Sequence, residues 1–364
     1  MQVVVADSGW EYYYGRIVKV VDIWRSWWRH RWFKGLILSL GAVVLLIILV
    51  VASYRLKHRN QPYSFGVSFS QTQAEFLGVD WQANYRALLD EMGFRQLRLV
   101  SYWDVHEPKP GQYLFDDLDW QMDQAAVRGA KVNLAIGLRQ PRWPECREPE
   151  WARQLAGDEW RKRLSSYISV VVERYRSHPA LASWHLENEF FNIDFGRHCR
   201  DFDRQRLIDE YRLVKQLDPN RQLVMALGNT YGFPLRGPRP DIYGVTVYRR
   251  VFDATITHRY ITHPAPAWYQ TLRAGLVEML TGKPFVIHEL QAEPWTTASV
   301  KVTSEEEQAL TMSPQRLGDV MNYAEATGIK TMYFWGSEWW YWRKSQFNDP
   351  AMWNAVKKIV QPPG

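Results

Sequence analysis

The pattern of apolar and polar positions divides the chain into two unequal parts. From Leu36 to Ser53 the residues form an apolar run without a charge, and roughly 18–20 such residues in a helix cross a bilayer core. From Tyr63 onward short apolar runs alternate with longer amphipathic ones, the mark of repeated strand–helix units. The short runs predict strands at Ser64–Phe69, Gln96–Val100, Lys131–Ile136, Leu181–Leu186, Leu223–Leu227, Ile242–Val247, Pro284–His288 and Thr331–Phe334. The amphipathic stretches predict helices at Trp81–Met92, Leu118–Arg128, Glu159–Tyr175, Asp201–Leu217, Trp268–Thr281, Ser313–Thr327 and Met352–Val360. The stretch around Tyr231-Gly232-Phe233-Pro234 is too rich in Pro and Gly for a long helix. Eight strands with intervening helices over about 300 residues predict an α/β fold, a (β/α)8 TIM barrel. An open doubly wound sheet is the alternative, weakened because no glycine-rich phosphate loop follows the first strand.

The segment before the apolar run has its own pattern. Ile17, Val20, Val21, Trp24 and Trp28 recur at helical spacing, with Arg16, Lys19, Arg25 and Arg29 largely on other faces. Trp27, Trp28 and Trp32 approach the bilayer boundary. This predicts an amphipathic helix in the headgroups leading into a membrane span. The expected organisation is a basic Trp-rich segment at 1–35, a transmembrane helix at 36–54, a linker at 55–62 and the barrel at 63–364. A cleaved signal peptide with a small-residue site at Val50-Val51-Ala52 is the competitor. The long segment before the run, and the length of the run, favour an anchor. Arg25, Arg29, Arg31 and Lys34 before the span slightly outnumber Arg55, Lys57 and Arg59 after it, which favours a single-pass protein with its barrel outside the cytoplasm.

Charge changes the picture only there. Residues 1–59 carry nine Lys and Arg against three acidic residues, an excess of six that equals the whole net charge of +6. The rest is neutral, so the basic balance points to a bilayer contacted through residues 17–54 and not to nucleic acid. The 19 Trp exceed what a core can hold without partners for every indole N–H, and indole faces suit the C–H faces of sugars. No zinc-type spacing occurs, and His288-Glu289 lacks a second histidine because residue 292 is Ala, so no metal or cofactor is implied. Cys146 and Cys199 fall in the loops after the third and fourth strands, neighbours in a barrel, and are candidates for one disulfide.

Functional groups in such barrels sit where strands end. Glu189 closes the run Trp184-His185-Leu186-Glu187-Asn188-Glu189, and Glu289 closes Pro284-Phe285-Val286-Ile287-His288-Glu289. A carboxylate just past a buried strand is unusual, and two of them predict a pair meeting at one rim, about 5–5.5 Å apart if cleavage retains configuration. Glycosidic bond cleavage needs such a pair. The same rim positions supply Arg98 and Trp103 from the second strand and its loop, Arg139 and Trp143 from the third and Asn188 from the fourth. Asn229 follows the fifth, Tyr248 the sixth, and Trp335 and Glu338 the eighth. Glu187 is an alternative acid, since side chains two apart in an extended strand share a face.

These residues resemble the clan A glycoside hydrolases, the retaining (β/α)8 superfamily that includes cellulases and β-galactosidases. The carriers are Asn188-Glu189, Glu289, Arg98, Tyr248 and Trp335. The stretch Trp103-Asp104-Val105-His106-Glu107-Pro108-Lys109-Pro110-Gly111-Gln112-Tyr113-Leu114-Phe115-Asp116 is similar to a segment of β-galactosidase-like members. His288 before the second glutamate departs from the many members with a small or hydroxyl residue there. The resemblance covers roughly residues 63–355. It implies Glu289 as nucleophile, Glu189 as acid/base and Asn188 as the partner of the sugar 2-hydroxyl. Arg98 and Tyr248 would keep the nucleophile ionised. A drier pocket against Trp184, Phe190 or Phe191 would keep the acid protonated. Glu293 and Glu338 would bind substrate hydroxyls at the rim. A membrane-anchored glycosidase acting on an oligosaccharide or glycan is the leading expectation. A transglycosidase remodelling an envelope glycan and a catalytically silent sugar-binding barrel are the others. Nothing in the sequence identifies the sugar or linkage.

Overall fold

The computed structural model describes residues 31–142, 144–190, 192, 199–200, 202–228 and 237–361. The amphipathic segment expected before residue 31, together with Trp143, Phe191 and Asn229, lies outside the described residues. The chain separates into a unit ending at Ser53 and a larger one from Tyr54 onward. Helix α1 (Arg31–His58) contains the apolar run, with mean hydropathy 3.1 over an eighteen-residue window. Leu36, Leu38, Leu40, Val43, Val44, Leu45, Leu46, Ile48 and Leu49 are exposed on it. It is long and apolar enough to cross a membrane. Arg55–His58, expected as the start of a linker, are its last helical turn. Arg55 donates to the Ala326 carbonyl, and Lys57 and His58 both pair with Glu278.

The second unit begins with β1 (Ser64–Ser68), α2 (Gln71–Leu77), α3 (Trp81–Asp90), β2 (Gln96–Val100), α4 (Trp103–His106), α5 (Asp116–Val127) and β3 (Lys131–Ile136). It continues through α6 (Gly157–Tyr175), β4 (Leu181–Leu186), α7 (Arg204–Leu217), β5 (Gln222–Leu227) and β6 (Ile242–Val247). A hairpin of β7 (Arg250–Asp253) and β8 (Arg259–Thr262) follows, then α8 (Ala267–Thr281), β9 (Phe285–Gln291), α9 (Glu305–Thr311), α10 (Pro314–Thr327), β10 (Thr331–Trp335), α11 (Ser337–Gln346) and α12 (Ala351–Val360). Eight strands close in the order β1-β10-β9-β6-β5-β4-β3-β2, every pairing parallel. This is the expected (β/α)8 barrel.

Alternation decides what each strand gives to which side. Leu97 and Leu99, Leu134 and Ile136, Leu223 and Met225 belong to the continuous apolar core. Between them Arg98, Asn133, His185 and His288 fill the barrel interior, fully or almost fully buried. Buried polar groups need partners, and these find them across the barrel. Asn133 donates to Ser183 at 2.7 Å, and its carbonyl oxygen lies 3.0 Å from His288 Nε2. The His185 and His288 rings meet edge to face at 4.4 Å although β4 and β9 are not neighbours.

β9 departs from the expected Pro284–His288 by running on to Gln291, so Glu289 stands within the strand and not after it. The cause is a bulge. Val245 pairs with Ile287 but Thr246 with Glu289, leaving His288 as the extra residue. Two consecutive side chains, His288 and Glu289, thereby turn inward. Gly244 makes the space, because a Cβ there would sit 2.8 Å from the His288 Cβ.

Candidate active site

Glu289 leaves β9 at the C-terminal end of the barrel and receives two donors. Arg98 Nη1 lies 2.6 Å from its Oε1, and the Tyr248 hydroxyl donates to its Oε2 at 2.7 Å. The Arg98 guanidinium has no exposure; its Nη2 donates to Asn188 Oδ1 at 2.6 Å and its Nε faces His185 Nδ1 at 3.4 Å. Burial, then the Arg98 charge, holds the His185 imidazole well below its ordinary range; for His288 the same causes act, with His185 adding to them. Both rings are therefore neutral at pH 7, and the guanidinium is balanced by Glu289. Burial first, then the Glu289 charge, keeps Tyr248 as an O–H donor far into the alkaline range. Both oxygens of Glu289 thus have a donor, one a guanidinium and one a phenol.

Glu189 is built differently. β4 ends at Leu186, and both Glu187 (φ 52°) and Glu189 (φ 45°) lie in the left-handed region that favours glycine. Glu187, the alternative acid, therefore does not share a strand face with Glu189. Its carboxylate accepts from the Leu138 and Arg139 amides at 2.5 and 3.1 Å and from Arg206 at 3.0 and 3.3 Å. Gly137 (φ 112°) permits this approach, since a Cβ there would sit 2.3 Å from Glu187 Oε1. The turn so pinned aims Glu189 into the cleft. Burial first, then the charge of Glu289, pushes the Glu189 carboxyl above the ordinary carboxylate range; Thr246, Asn192 and Arg139 act in the opposite direction. Asn192 Nδ2 donates to Glu189 Oε2 at 3.0 Å. Thr246 is paired in strand register with Glu289 and faces Glu189.

Both glutamates line one cavity of about 950 Å³ together with Asn188, Tyr248, Glu293 and Trp335. Ligand sites of that size hold a small oligosaccharide. Trp335 is stacked under the Arg142 guanidinium at 4.2 Å, and Arg142 is clamped by Glu293 and Glu338.

Other expected site residues are placed elsewhere. Trp103 is fully buried against Trp151, Trp160 and Tyr167 and donates to Glu107 at 2.7 Å, so it is a core residue and not a sugar platform. Arg98 and Arg139 lie beneath the cleft and hold its carboxyls and the Phe190 carbonyl. Glu338 has no exposure and accepts from the Ser70 amide and Arg142, which makes it a support for Arg142 and not a rim group. Trp184 and Phe190 do not dry Glu189. The Trp184 indole bonds Asp218 at 3.0 Å, and Phe190 stacks on Phe202 beside Arg206. Arg142 and Glu145, both in the cleft wall, escaped sequence reasoning. Both have positive φ, 85° and 58°, which no residue pattern announces. Cys146 and Cys199 form the expected disulfide with Cα atoms 5.3 Å apart, tying the loop after β3 to the loop after β4.

Comparison with known proteins supports the geometry. A family model described as β-galactosidase, of glycoside hydrolase family 42, matches residues 153–231, the stretch that contains Asn188 and Glu189. A β-galactosidase of Arthrobacter sp is 31% identical over 144 residues, 35% of this chain and 20% of the relative. Over part of its length the chain is similar to the β-galactosidases of glycoside hydrolase family 42, of clan A. Solved structures agree on the fold. The β-galactosidase of Marinomonas ef1 superposes with TM-score 0.53 at 14% identity, over 82% of this chain and 59% of that one. GH5_18 of Streptomyces cattleya, in complex with GlcNAc, does so with TM-score 0.55 at 13% identity, over 84% and 82%. The chain thus aligns with only about a fifth of the Arthrobacter enzyme and about three fifths of the Marinomonas one.

Proposed function

We propose that this chain is a retaining β-glycosidase, with a β-galactoside as the first substrate to try. The observation that supports it is the pairing of unlike carboxyls in one cleft. Glu289 is held by Arg98 and Tyr248, and Glu189 is pushed toward its protonated form. Glu289 would attack the anomeric carbon while Glu189 gives its proton to the departing oxygen. A glycosyl-enzyme ester and a free alcohol result. Water then attacks the anomeric carbon, Glu189 takes its proton, and the C1–O bond breaks to release Glu289 as the carboxylate. Asn188, fixed by Arg98 at the cleft wall, would bond the sugar 2-hydroxyl.

The full chain in detergent micelles, offered a panel of phenyl β-glycosides, tests this reading. Proton NMR of the first-formed sugar should show the β-anomer. The α-anomer would mean inversion, and no turnover of any glycoside would remove the glycosidase reading.

The same proposal places residues 36–54 in a bilayer and residues 63–364 outside the cytoplasm. The exposed apolar face of α1 supports the first, and the disulfide, which persists in oxidising compartments, supports the second. Protease added to intact cells should degrade the barrel. Protection until lysis would reverse the orientation, and a soluble product starting near Ser53 would show a cleaved signal.

A further inference from the structure

We propose that Glu145 is a third working carboxyl of this cleft, which shares its protons with Glu189 and so sets the alkaline limit of turnover. The inference rests on the reading of Glu189 as acid/base.

Glu145 is aimed by its backbone. It sits with φ 58° in a loop whose amide and carbonyl are both tied down, Glu145 N to Arg142 O at 2.8 Å and Gln140 N to Glu145 O at 2.9 Å. The next residue is fixed by the disulfide to Cys199. A non-glycine residue held in that region is strained, and such strain is kept where a side chain must point one way. Here it points a carboxyl of 12% exposure into the cavity that also holds Glu189 and Glu289.

The surrounding charges show why this matters. Among the described residues, Arg98 is engaged by Glu289 and Asn188. Arg142 is engaged by Glu293 and Glu338, and Arg147 pairs with Asp104. Arg273 faces Glu189 from α8 but donates to the Gly228 carbonyl. Arg139 is the guanidinium that faces both remaining carboxyls, 3.4 Å from Glu145 Oε2 and beside Glu189. Arg139 is shared between two buried acids, and in a dry pocket they cannot both ionise freely. Burial first, then the charges of Glu189 and Glu289, pushes Glu145 up to about 8, with Arg139 acting against them.

The two acids therefore titrate as a pair. When one ionises, its charge raises the cost of ionising the other. A charge on Glu145 therefore favours the state in which Glu189 keeps the proton that bond cleavage needs. Glu145 thus acts through Glu189 and is a positioning residue for that proton.

The test uses the full chain and the phenyl β-glycoside that wild type turns over best, because phenol leaves poorly and needs the acid. In Glu145→Gln the repulsion is gone, Glu189 loses its proton sooner, and the alkaline limb of kcat/KM should move down by about one pH unit. Glu145→Asp keeps the charge and should keep the limb near its wild-type position. With a 2,4-dinitrophenyl leaving group, which needs no proton, Glu145→Gln and wild type should show the same alkaline behaviour. An active Glu145→Gln whose limb coincides with wild type on the phenyl glycoside overturns the proposal. Infrared titration of the protonated carboxyl bands decides it without turnover. In Glu189→Gln the remaining Glu145 band should vanish at lower pH than in wild type, and an unmoved band overturns the coupling. Failure of every glycoside would sink the glycosidase reading, while the infrared result would still judge the pair.

Discussion

Glu289 stands on a strand, and Glu189 stands on a turn. The first is fixed by the regular ladder of β9, interrupted by one bulge, and receives a guanidinium and a phenol as donors. The second has left-handed backbone held by Glu187, whose carboxylate ties together two amides of the β3 loop and Arg206 of α7. The same residue type is thus given unlike surroundings. Glu289 sits where the scaffold supplies donors. Glu189 sits where the scaffold withholds water and places a like charge nearby.

The contrast breaks most sharply at Glu289. Glu289→Gln removes the proposed nucleophile while keeping the shape, and turnover of every glycoside should fall by roughly 10⁴-fold or more. The fold should survive, since the amide oxygen can still accept from Arg98 while the NH2 donates to the Tyr248 hydroxyl oxygen, although Arg98 is left less balanced. An activated aryl glycoside cleaved at wild-type rate would mean that the nucleophile lies elsewhere.

Glu189→Ala should separate substrates. With a phenol leaving group kcat/KM should drop by about 10²–10⁴-fold, the range ascribed to general acid–base assistance. With a dinitrophenol the first step should be nearly unaffected and the glycosyl-enzyme should accumulate, because no base remains for the water. Equal losses on both substrates would show that Glu189 is not the acid.

Glu187→Gln probes the turn. The change leaves Arg206 and Glu210 without the third member of a buried cluster. Breaking one partner of a buried pair costs about 3–5 kcal/mol. Thermal unfolding should move down by several degrees. Turnover should fall less than in Glu189→Ala, because Glu189 is displaced and not removed. A variant as stable as wild type would mean that the turn is held by its other bonds.

The regular half of this comparison was legible in the sequence, and the strained half was not. Gln96–Val100, Lys131–Ile136, Leu181–Leu186 and Ile242–Val247 read correctly as strands because parallel strands covered by helices are nearly continuous apolar runs. Glu189, Glu289, Asn188, Tyr248 and Trp335 were expected at one rim because barrels carry functional groups at strand ends, and all five line one cavity. Trp103 was misread because an indole's partner, here Glu107 one helical turn on, is invisible in composition. Glu187 was misjudged because extended geometry was carried past Leu186, where the backbone turns left-handed. Glu145 and Arg142 went unseen because their importance lies in which charges surround them, a property of the closed barrel. The β7–β8 hairpin was missed because each strand has four residues, too few for alternation to stand out.

The smallest expected change in turnover comes from opening the disulfide, and it tests whether the turn under Glu189 is held from within or by the bridge. Cys146 and Cys199 lie 53 residues apart in sequence, and closing a loop of that length lowers unfolded-state entropy by about 4 kcal/mol in the chain-entropy picture. Reduction should therefore lower the unfolding temperature by several degrees. The catalytic turn has other restraints that do not pass through sulfur. Glu187 holds the Leu138 and Arg139 amides, Arg139 donates to the Phe190 carbonyl, and the Asn188 amide donates to the Arg139 carbonyl at 2.8 Å. With these intact, kcat/KM of the reduced protein or of Cys199→Ser should stay within about threefold of wild type at a temperature where both are folded. A loss as large as that of Glu189→Ala would mean that the bridge, and not the Glu187 cluster, aims the acid. The contrast between strand and turn would then reduce to a contrast between a strand and a covalent clamp.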